Sequence, residues 1–386
     1  VLYTSPIALW EPAVGKMNEN TSATILTTIA EFVVGYRTPF PESVVQIVRD
    51  SFIDTFGCIL VGVNEEAPSF SREALIKASP GTCPVYGTAQ FASPETAAML
   101  NAVSGHALDL DDWELPGNSH ASVVLVPAIL AAANDGCLSG EQICSAYVMG
   151  YEVIARLGEA VNFDHYARGW HTTGTLASIG GAAAIAKLWE LDTEQTVNAM
   201  SLAVTRASGL TRQFGSHAKP LQAGFAAENA IRCARLARSG LTGQAHILEG
   251  KQGYFAITGH DNQARYTRPF NDLYTELAIE KYGQIIKPYP SCGYTHRIID
   301  CARQHLNNSV DLQSVEKISL HLPDFHAAIL PFRQPTNRRE ALFSLPYCAA
   351  MGLTRGNLAI EDLDQETWML EEIKTLVSKC TVQPFK

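Results

Sequence analysis

The chain has 386 residues, with 39 acidic and 29 basic side chains for a formal net charge of −10, and 46% of its residues are hydrophobic. This length suggests two or three domains, or one large domain and a small one, and the hydrophobic content excludes a mainly disordered chain. The acidic balance argues against a nucleic-acid partner. No strongly apolar stretch reaches the roughly 18 residues of a membrane span, so we expect no membrane partner either.

Nine scattered cysteines without a C-x-x-C pair predict reduced thiols. The first twenty residues lack a basic segment followed by an apolar one, so we expect no secretory signal and a cytoplasmic protein. Only 18% of the residues are charged, below the roughly 25% of an ordinary soluble domain. We therefore expect a large core or an extensive subunit interface.

Helical periodicity dominates the sequence up to about residue 243. Apolar residues at three- and four-residue spacing predict helices over 21–36, 41–61 and 94–108. The segment 176–188, LASIGGAAAIAKL, has apolar or small residues on nearly every face, which is typical of a helix buried on all sides. We predict an all-helical domain over residues 1–270.

Glycines, polar aromatic residues and prolines replace this pattern further along the chain. Residues 315–322 alternate between apolar and polar side chains and predict a half-buried strand. We predict a helix over 366–378 and a strand over 380–382 whose partner strand is missing from the sequence. The predicted fold class is mostly α with a smaller α/β domain, a lid over residues 271–386 that lacks its closing segment.

Four basic side chains stand where the chain enters a predicted helix: His120, His171, Lys219 and His296. Pro220 after Lys219 and the threonines after His171 are typical helix starts. Since helix N-termini carry a partial positive charge, convergence of these junctions would form a carboxylate-binding pocket. Taken singly, a histidine next to a helix start is more often a capping or surface residue, and a single lysine such as Lys219 is more often a surface residue.

Three aspartates, Asp109, Asp111 and Asp112, lie between His106 and His120. An aspartate orients a histidine and raises its basicity, which suits proton removal next to a carboxylate. A solvated acidic loop is the alternative, and we interpret His106 as a residue of a helix face. A metal bound by His106, Asp109, Asp111 and His120 is conceivable, but no standard ligand spacing supports it and we expect no metal.

Motifs of several other enzyme classes are missing. The sequence contains no G-x-G-x-x-G, Walker loop, H-E-x-x-H or G-x-S-x-G. The S-x-x-K pattern of penicillin-recognising hydrolases occurs twice, at Ser216 and Ser314, without the K-T-G that accompanies it. These chemistries are therefore not predicted.

Four long motifs follow one another along the chain: GHALDLDDWELPGNSHASVVLVPAILAAAN, HYARGWHTTGTLASIGGAAAIAKLWELD, HAKPLQAGFAAENAIRCARLARSGLTG and IIKPYPSCGYTHRIID. Together they resemble the MmgE/PrpD family, which includes 2-methylcitrate dehydratase, cis-aconitate decarboxylase and iminodisuccinate epimerase. The resemblance covers about residues 25–370. It implies a large helical domain, a smaller α/β lid, a homodimer and a cofactor-free active site in the cleft between the domains.

The resemblance also implies which residues form the site. The epimerase-like pattern adds Tyr166 as an acid or base opposite Lys219, and Thr172 replaces a proline common in the family. The implied site comprises the catalytic residues Asp109, His120, Tyr166, His171 and Lys219 and the substrate-binding residues Thr172, Lys287 and His296.

We expect a cofactor-independent lyase, of dehydratase or decarboxylase type, that removes a proton next to a carboxylate of a small di- or tricarboxylic acid. Lys219 and Lys287 would hold carboxylates and stabilise the developing charge. His171 or Lys219 would be the base, and His120, oriented by Asp109, would be the acid. Two alternatives stay open: an epimerase of an iminodisuccinate-like dicarboxylate, and an inactive dimeric helical scaffold.

Overall fold

The computed structural model describes residues 23–37, 39–134, 136, 138–307 and 311–385. Among these residues, no helix combines the length and the apolar character that crossing a membrane requires. Residues 21 and 22, where we predicted the first helix to begin, lie outside the described part of the chain.

The first and larger part of the described chain is built from helices. Strands β1 (Cys83–Val85) and β2 (Gln90–Ala92) form a short antiparallel hairpin within it. The helices are α1 (Ile25–Gly35), α2 (Glu42–Gly62), α3 (Glu66–Leu75), α4 (Pro94–His106), α5 (Ser122–Ala133), α6 (Gly140–Val161), α7 (Asp164–Ala167), α8 (Thr172–Leu188), α9 (Thr193–Arg206), α10 (Ala218–Arg238), α11 (Tyr254–Thr258), α12 (Gln263–Thr267) and α13 (Ala278–Tyr282), with 3₁₀ turns at Thr211–Gln213 and Arg268–Phe270.

Helix α8 packs between α6 and α10 in this domain. Its residues 172–186 are all buried, as expected for the small-residue segment. A Cβ atom added at Gly180 would lie 2.7 Å from the carbonyl oxygen of Gly150 on α6, and one at Gly181 would lie 2.8 Å from Cβ of Ala230 on α10. The missing side chains therefore allow three helix axes to approach closely.

The second part of the chain contains a small parallel sheet. Its elements are α14 (Gly293–Asn307), β3 (Ile318–Pro323), α15 (Asp324–Ile329), α16 (Arg338–Ala341), α17 (Leu345–Arg355), a 3₁₀ turn at Glu361–Leu363, α18 (Gln365–Trp368), α19 (Glu371–Lys379) and β4 (Cys380–Phe385). Strand β4 pairs with β3 in parallel, so its partner lies within the chain, contrary to our prediction. The helix predicted over 366–378 is interrupted because Leu370 has an extended backbone.

Among the described residues, two large hydrophobic cores correspond to these two parts, beside a small cluster of Ala67, Met99 and Val103. The first contains buried residues from Ile25 to Ile279. The second extends from Tyr289 to Val377 and includes Leu108, Tyr166 and Phe214 of the helical part. The lid therefore packs on the helical domain through these three residues. The fold is mostly α with a smaller α/β part, as predicted, and a domain boundary after residue 270 remains a proposal.

Several helix ends meet where the two parts are in contact. His106 is the last residue of α4, His120 lies two residues before α5, His171 is the N-cap residue of α8, and Lys219 is the second residue of α10. His296 lies inside the first turn of α14 instead of preceding the helix. The predicted placement at helix entrances thus holds for His120 and His171, and within one residue for Lys219.

Candidate active site

The loop between α4 and α5 is fixed by a buried carboxylate. Glu114 accepts hydrogen bonds from the backbone N–H groups of Gly117 at 2.7 Å and Ser119 at 3.2 Å, and from the Ser119 hydroxyl at 2.8 Å. Burial raises the pKa of Glu114 to about 7. Asp109 and Asn118, at the two ends of this loop, have φ of 52° and 51°. Such left-handed conformations are uncommon without glycine and concentrate at functional sites.

Asp109 holds two buried lysines. Its Oδ1 atom lies 2.8 Å from Nζ of Lys219 and 3.1 Å from Nζ of Lys287. The Lys287 ammonium also donates to the backbone carbonyl of Asp109 at 2.7 Å. Burial alone would raise the pKa of the Asp109 carboxyl, but the two ammonium groups outweigh it and hold that pKa well below its usual range. One buried carboxylate therefore lies between two ammonium groups.

Asp111 holds two histidines in the same way. Its Oδ2 atom lies 2.8 Å from Nδ1 of His106 and 3.0 Å from Nδ1 of His120. The Lys219 ammonium donates to Nε2 of His106 at 2.7 Å, so that imidazole is neutral with its proton on Nδ1. Burial lowers the pKa of His106 to about 4. We predicted Asp109 as the partner of His120; Asp111 makes the shorter contact, and Asp109 lies 3.5 Å from its Nε2 atom.

His171 is oriented by a glutamine. The side-chain amide of Gln222 donates to the carbonyl of Leu210 at 3.1 Å, so its oxygen faces His171 and accepts from Nδ1 at 2.6 Å. This contact places the imidazole proton on Nδ1 and leaves Nε2 as an acceptor. Burial, with the neighbouring Lys219 charge, lowers the pKa of His171 well below its ordinary value. The ring is therefore a neutral base at neutral pH.

Aromatic residues form the opposite wall. The Asn118 amide donates to the hydroxyl of Tyr294 at 2.9 Å. Burial raises the pKa of Tyr166 well above its ordinary value, so that its phenol remains protonated. The Lys219 ammonium lies 5.6 and 5.5 Å from the ring centres of Phe214 and Phe343, a distance at which aromatic faces attract cations.

These groups surround a small cavity between the helical domain and the lid. About 30 Å³ of it is open to the centres of water molecules, room for roughly two waters. Six predicted residues line this cavity: Asp109, His120, Tyr166, His171, Lys219 and Lys287.

The two other predicted residues, Thr172 and His296, are not among the residues that line the cavity. The Thr172 hydroxyl donates to the Asn118 carbonyl at 2.7 Å. His296 contacts the carbonyl of Ser291 through Nε2 at 3.1 Å, and this carbonyl also accepts from Lys287. Both side chains therefore position residues of the cavity wall.

Sequence reasoning did not assign roles to three residues that complete this arrangement: His106, Asp111 and Gln222. The sequence did contain a signal for His106 and Asp111, because Asp111 is one of the aspartates that follow His106. No pattern in the sequence distinguished Gln222 from the other polar residues of α10.

The four residues considered as metal ligands do come together. Ligand atoms of His106, Asp109, Asp111 and His120 lie within 4.8 Å of one another. However, the Lys219 ammonium already binds His106 and Asp109 at 2.7 and 2.8 Å. A divalent cation would have to lie beside this charge, so the residues present suit the lysine better than a metal ion.

Comparisons with known proteins agree with the sequence resemblance. Residues 27–267 match the MmgE/PrpD N-terminal domain, and residues 289–385 match the MmgE/PrpD C-terminal domain. A cis-aconitate decarboxylase-like protein of Aspergillus oryzae is 28% identical over 364 residues, which span 88% of this chain and 75% of that protein.

Two relatives named cis-aconitate decarboxylase are 26% identical to this chain. The protein of Aspergillus terreus aligns over 81% of this chain and 68% of its own length, and that of Homo sapiens over 95% and 77%. Since the two domain matches cover most of the chain in their expected order, the protein belongs to the MmgE/PrpD family.

Proposed function

We propose that this protein is a lyase that acts on a small tricarboxylate without a cofactor, and that its reaction is the decarboxylation of cis-aconitate. The observation that carries the proposal is the cavity in which two buried ammonium groups face His120 and His171. The names of the relatives, cis-aconitate decarboxylases, support the choice of substrate.

Decarboxylation of cis-aconitate builds negative charge next to a carboxylate. The bond between the CH₂ group and its carboxylate breaks and releases CO₂, and its electron pair forms a new double bond. The electron pair of the old double bond moves to the CH carbon, which takes up a proton to give itaconate. This reaction needs cations beside the carboxylate of that carbon and a proton donor within reach of it.

Lys219 and Lys287 would stabilise the developing charge. Both side chains are buried, and both ammonium groups contact the same Asp109 oxygen. We propose that a substrate carboxylate replaces this contact with Asp109. Cations fixed in a dry site before the reaction contribute more than cations that must reorganise.

We assign the proton transfers to the two histidines that line the cavity. His120 has carboxylate oxygens near both ring nitrogens, so it can deliver a proton and regain it with little rearrangement. His171 presents an unprotonated Nε2 atom and would be the base in a dehydratase, where a proton leaves the carbon next to the carboxylate. Dehydratase and decarboxylase thus use the same groups in a different order.

The test is turnover of cis-aconitate, followed by NMR detection of itaconate and by CO₂ release. Lys219→Met should reduce kcat/KM at least about a hundredfold, because it removes one of the two cations proposed to stabilise the developing charge, worth about 3 kcal/mol. Lys187→Met is the matched control. The ammonium group of this lysine donates to the backbone carbonyls of Val33 and Tyr36. Absence of an alkene or CO₂ product from cis-aconitate, citrate and 2-methylcitrate would contradict the lyase.

An epimerase of an iminodisuccinate-like dicarboxylate is a second candidate, favoured by Tyr166. This protonated phenol lines the same cavity as Lys219 and His171. It could donate a proton to one face of a substrate while a base removes the proton from the other. An epimerase should incorporate deuterium from heavy water into recovered substrate without net conversion, and absence of exchange across a panel of dicarboxylates excludes it.

We also propose a homodimer. Ile53, Leu60 and Phe70 expose 71%, 55% and 57% of their surface, and burial of such side chains against a second copy would remove apolar area from water. Sedimentation should give twice the mass of the chain, whereas a monomer at micromolar concentration contradicts the dimer.

The inactive scaffold is the remaining alternative. It becomes the preferred one if the protein shows neither turnover nor thermal stabilisation by carboxylates. Cytoplasmic location stays a prediction.

A further inference from the structure

A second cavity, which we call the vestibule, adjoins the catalytic cavity. About 340 Å³ of it is open to water centres, compared with about 30 Å³ in the catalytic cavity. The two cavities share Asp109, Lys219 and Phe343. The ion pair of Lys219 and Asp109, together with one phenyl ring, therefore forms the wall between them.

Ion pairs between the helical domain and the lid lie around the vestibule. Arg338 on α16 lies 3.2 Å from Glu65, and the adjacent Arg339 contacts Glu66. Glu66 is also 3.1 Å from Nε2 of His217, and its side chain is 61% exposed. Because exposed ion pairs contribute little to stability, a carboxylate from solution can replace Glu66 at small cost.

The two arginines have the chemistry to receive a carboxylate. Their planar guanidinium groups offer paired donors that match the two oxygens of a carboxylate. The terminal nitrogens of Arg338 bind Glu65 and Asp364, and its buried Nε atom has no hydrogen-bond partner. Lys219 stands at the inner end of the same cavity. Three cationic side chains thus line the vestibule, each beside a carboxylate: Arg338 and Glu65, Arg339 and Glu66, and Lys219 and Asp109.

We propose that the vestibule is the access site for the substrate. Arg339 and Arg338 bind the carboxylates of an incoming di- or tricarboxylate in exchange for Glu66 and Glu65, and the ligand then passes to Lys219 when the shared wall moves. The identity of the substrate rests on the function proposed above. The binding of a carboxylate in the vestibule requires no turnover, so it can be tested with an inert ligand.

The experiment compares two substitutions that break the same ion pair. Arg339→Gln removes the carboxylate receptor, whereas Glu66→Gln removes its internal competitor. Association of tricarballylate, an inert tricarboxylate, is followed by stopped-flow tryptophan fluorescence, since Trp113 lines the catalytic cavity and Trp368 the vestibule. We expect Arg339→Gln to slow association about fivefold and Glu66→Gln to accelerate it, as for one partly exposed charge pair of about 1 kcal/mol.

A matched control is Arg303→Gln, which removes the same charge from the lid at a pair with Asp300 outside the vestibule. Changes in the same direction for Arg339→Gln and Glu66→Gln show that the ion pair is only structural and overturn the proposal. So does an Arg339→Gln rate equal to that of Arg303→Gln. The proposed reaction can fail independently. If cis-aconitate is not turned over but Arg339→Gln slows tricarballylate association and Glu66→Gln accelerates it, the access site is supported and the proposed reaction is contradicted.

Discussion

Replacement of Gln222 by leucine tests whether the position of one proton controls the proposed base. The Gln222 oxygen accepts from Nδ1 of His171 at 2.6 Å, and both side chains are buried. Leucine fills a similar volume but leaves this N–H group without an acceptor, which costs about 1–3 kcal/mol. The ring avoids the cost if its proton moves to Nε2 or if it rotates, and either change removes the base. For a reaction that removes a substrate proton, as in a dehydratase or an epimerase, we expect kcat to fall about 5- to 150-fold. Decarboxylation of cis-aconitate removes no substrate proton, so its kcat should fall less.

The assay is the pH dependence of kcat and kcat/KM, with thermal unfolding as the check on folding. Because burial lowers the pKa of His171 well below its ordinary value, the wild-type base stays deprotonated at neutral pH. Activity that depends on it should fall only well below pH about 6.5. Gln222→Glu keeps an acceptor for Nδ1 and should move this acid limb upward, because a carboxylate favours the imidazolium. A leucine variant with wild-type kcat and an unchanged acid limb in a reaction that removes a substrate proton would refute the reasoning.

Two further predictions concern the active-site loop and metal ions. A Cβ atom at Gly158 would lie 2.3 Å from the backbone nitrogen of Gly117 in the loop between α4 and α5. Gly158→Ala should therefore lower the free energy of unfolding by about 1–3 kcal/mol. It should also reduce kcat, because the added methyl group displaces this loop. Its control is Gly57→Ala on α2, where nothing lies within 4 Å and stability should rise by about 0.5–1 kcal/mol; equal effects of both on denaturant midpoints would contradict this. Dialysis against EDTA should leave kcat unchanged, because Lys219 occupies metal-ligand atoms of His106 and Asp109; a loss restored by added Zn²⁺ or Mn²⁺ would show that a metal binds.

The helical part of the fold could be predicted because its signals are local. Helix α4 begins at Pro94, where the sequence pattern begins, and α2 begins at Glu42, one residue after the predicted start. The parallel pairing of β3 with β4 could not be predicted in the same way. It joins segments about sixty residues apart, and periodicity carries no information about which strands pair.

The candidate site was predictable to the same extent. Residues next to helix starts, such as His171, can be recognised from caps and prolines. Contacts between distant segments cannot: Lys219 and His106 are 113 residues apart in sequence, and Gln222 and His171 are 51 residues apart. His106 resembles any buried residue of a helix face until the ammonium group beside it is known. Thr172 and His296 are close in sequence to residues that line the cavity, but their side chains bind backbone carbonyls.

The carboxylate shared by Lys219 and Lys287 has a consequence for anion selectivity. An anion that enters this site must compete with Asp109, which is tethered to the protein and is always present at high local concentration. When chloride, acetate or another monoanion binds one of the lysines, that lysine loses its contact with Asp109. The exchange brings little net gain, so we expect monoanions to be weak inhibitors. A ligand with two or three carboxylates gains contacts at several points at once, and only such a ligand overcomes the internal competitor. If Lys219 and Lys287 bind the substrate as proposed, Asp109 would make this site selective for polycarboxylates over simpler anions.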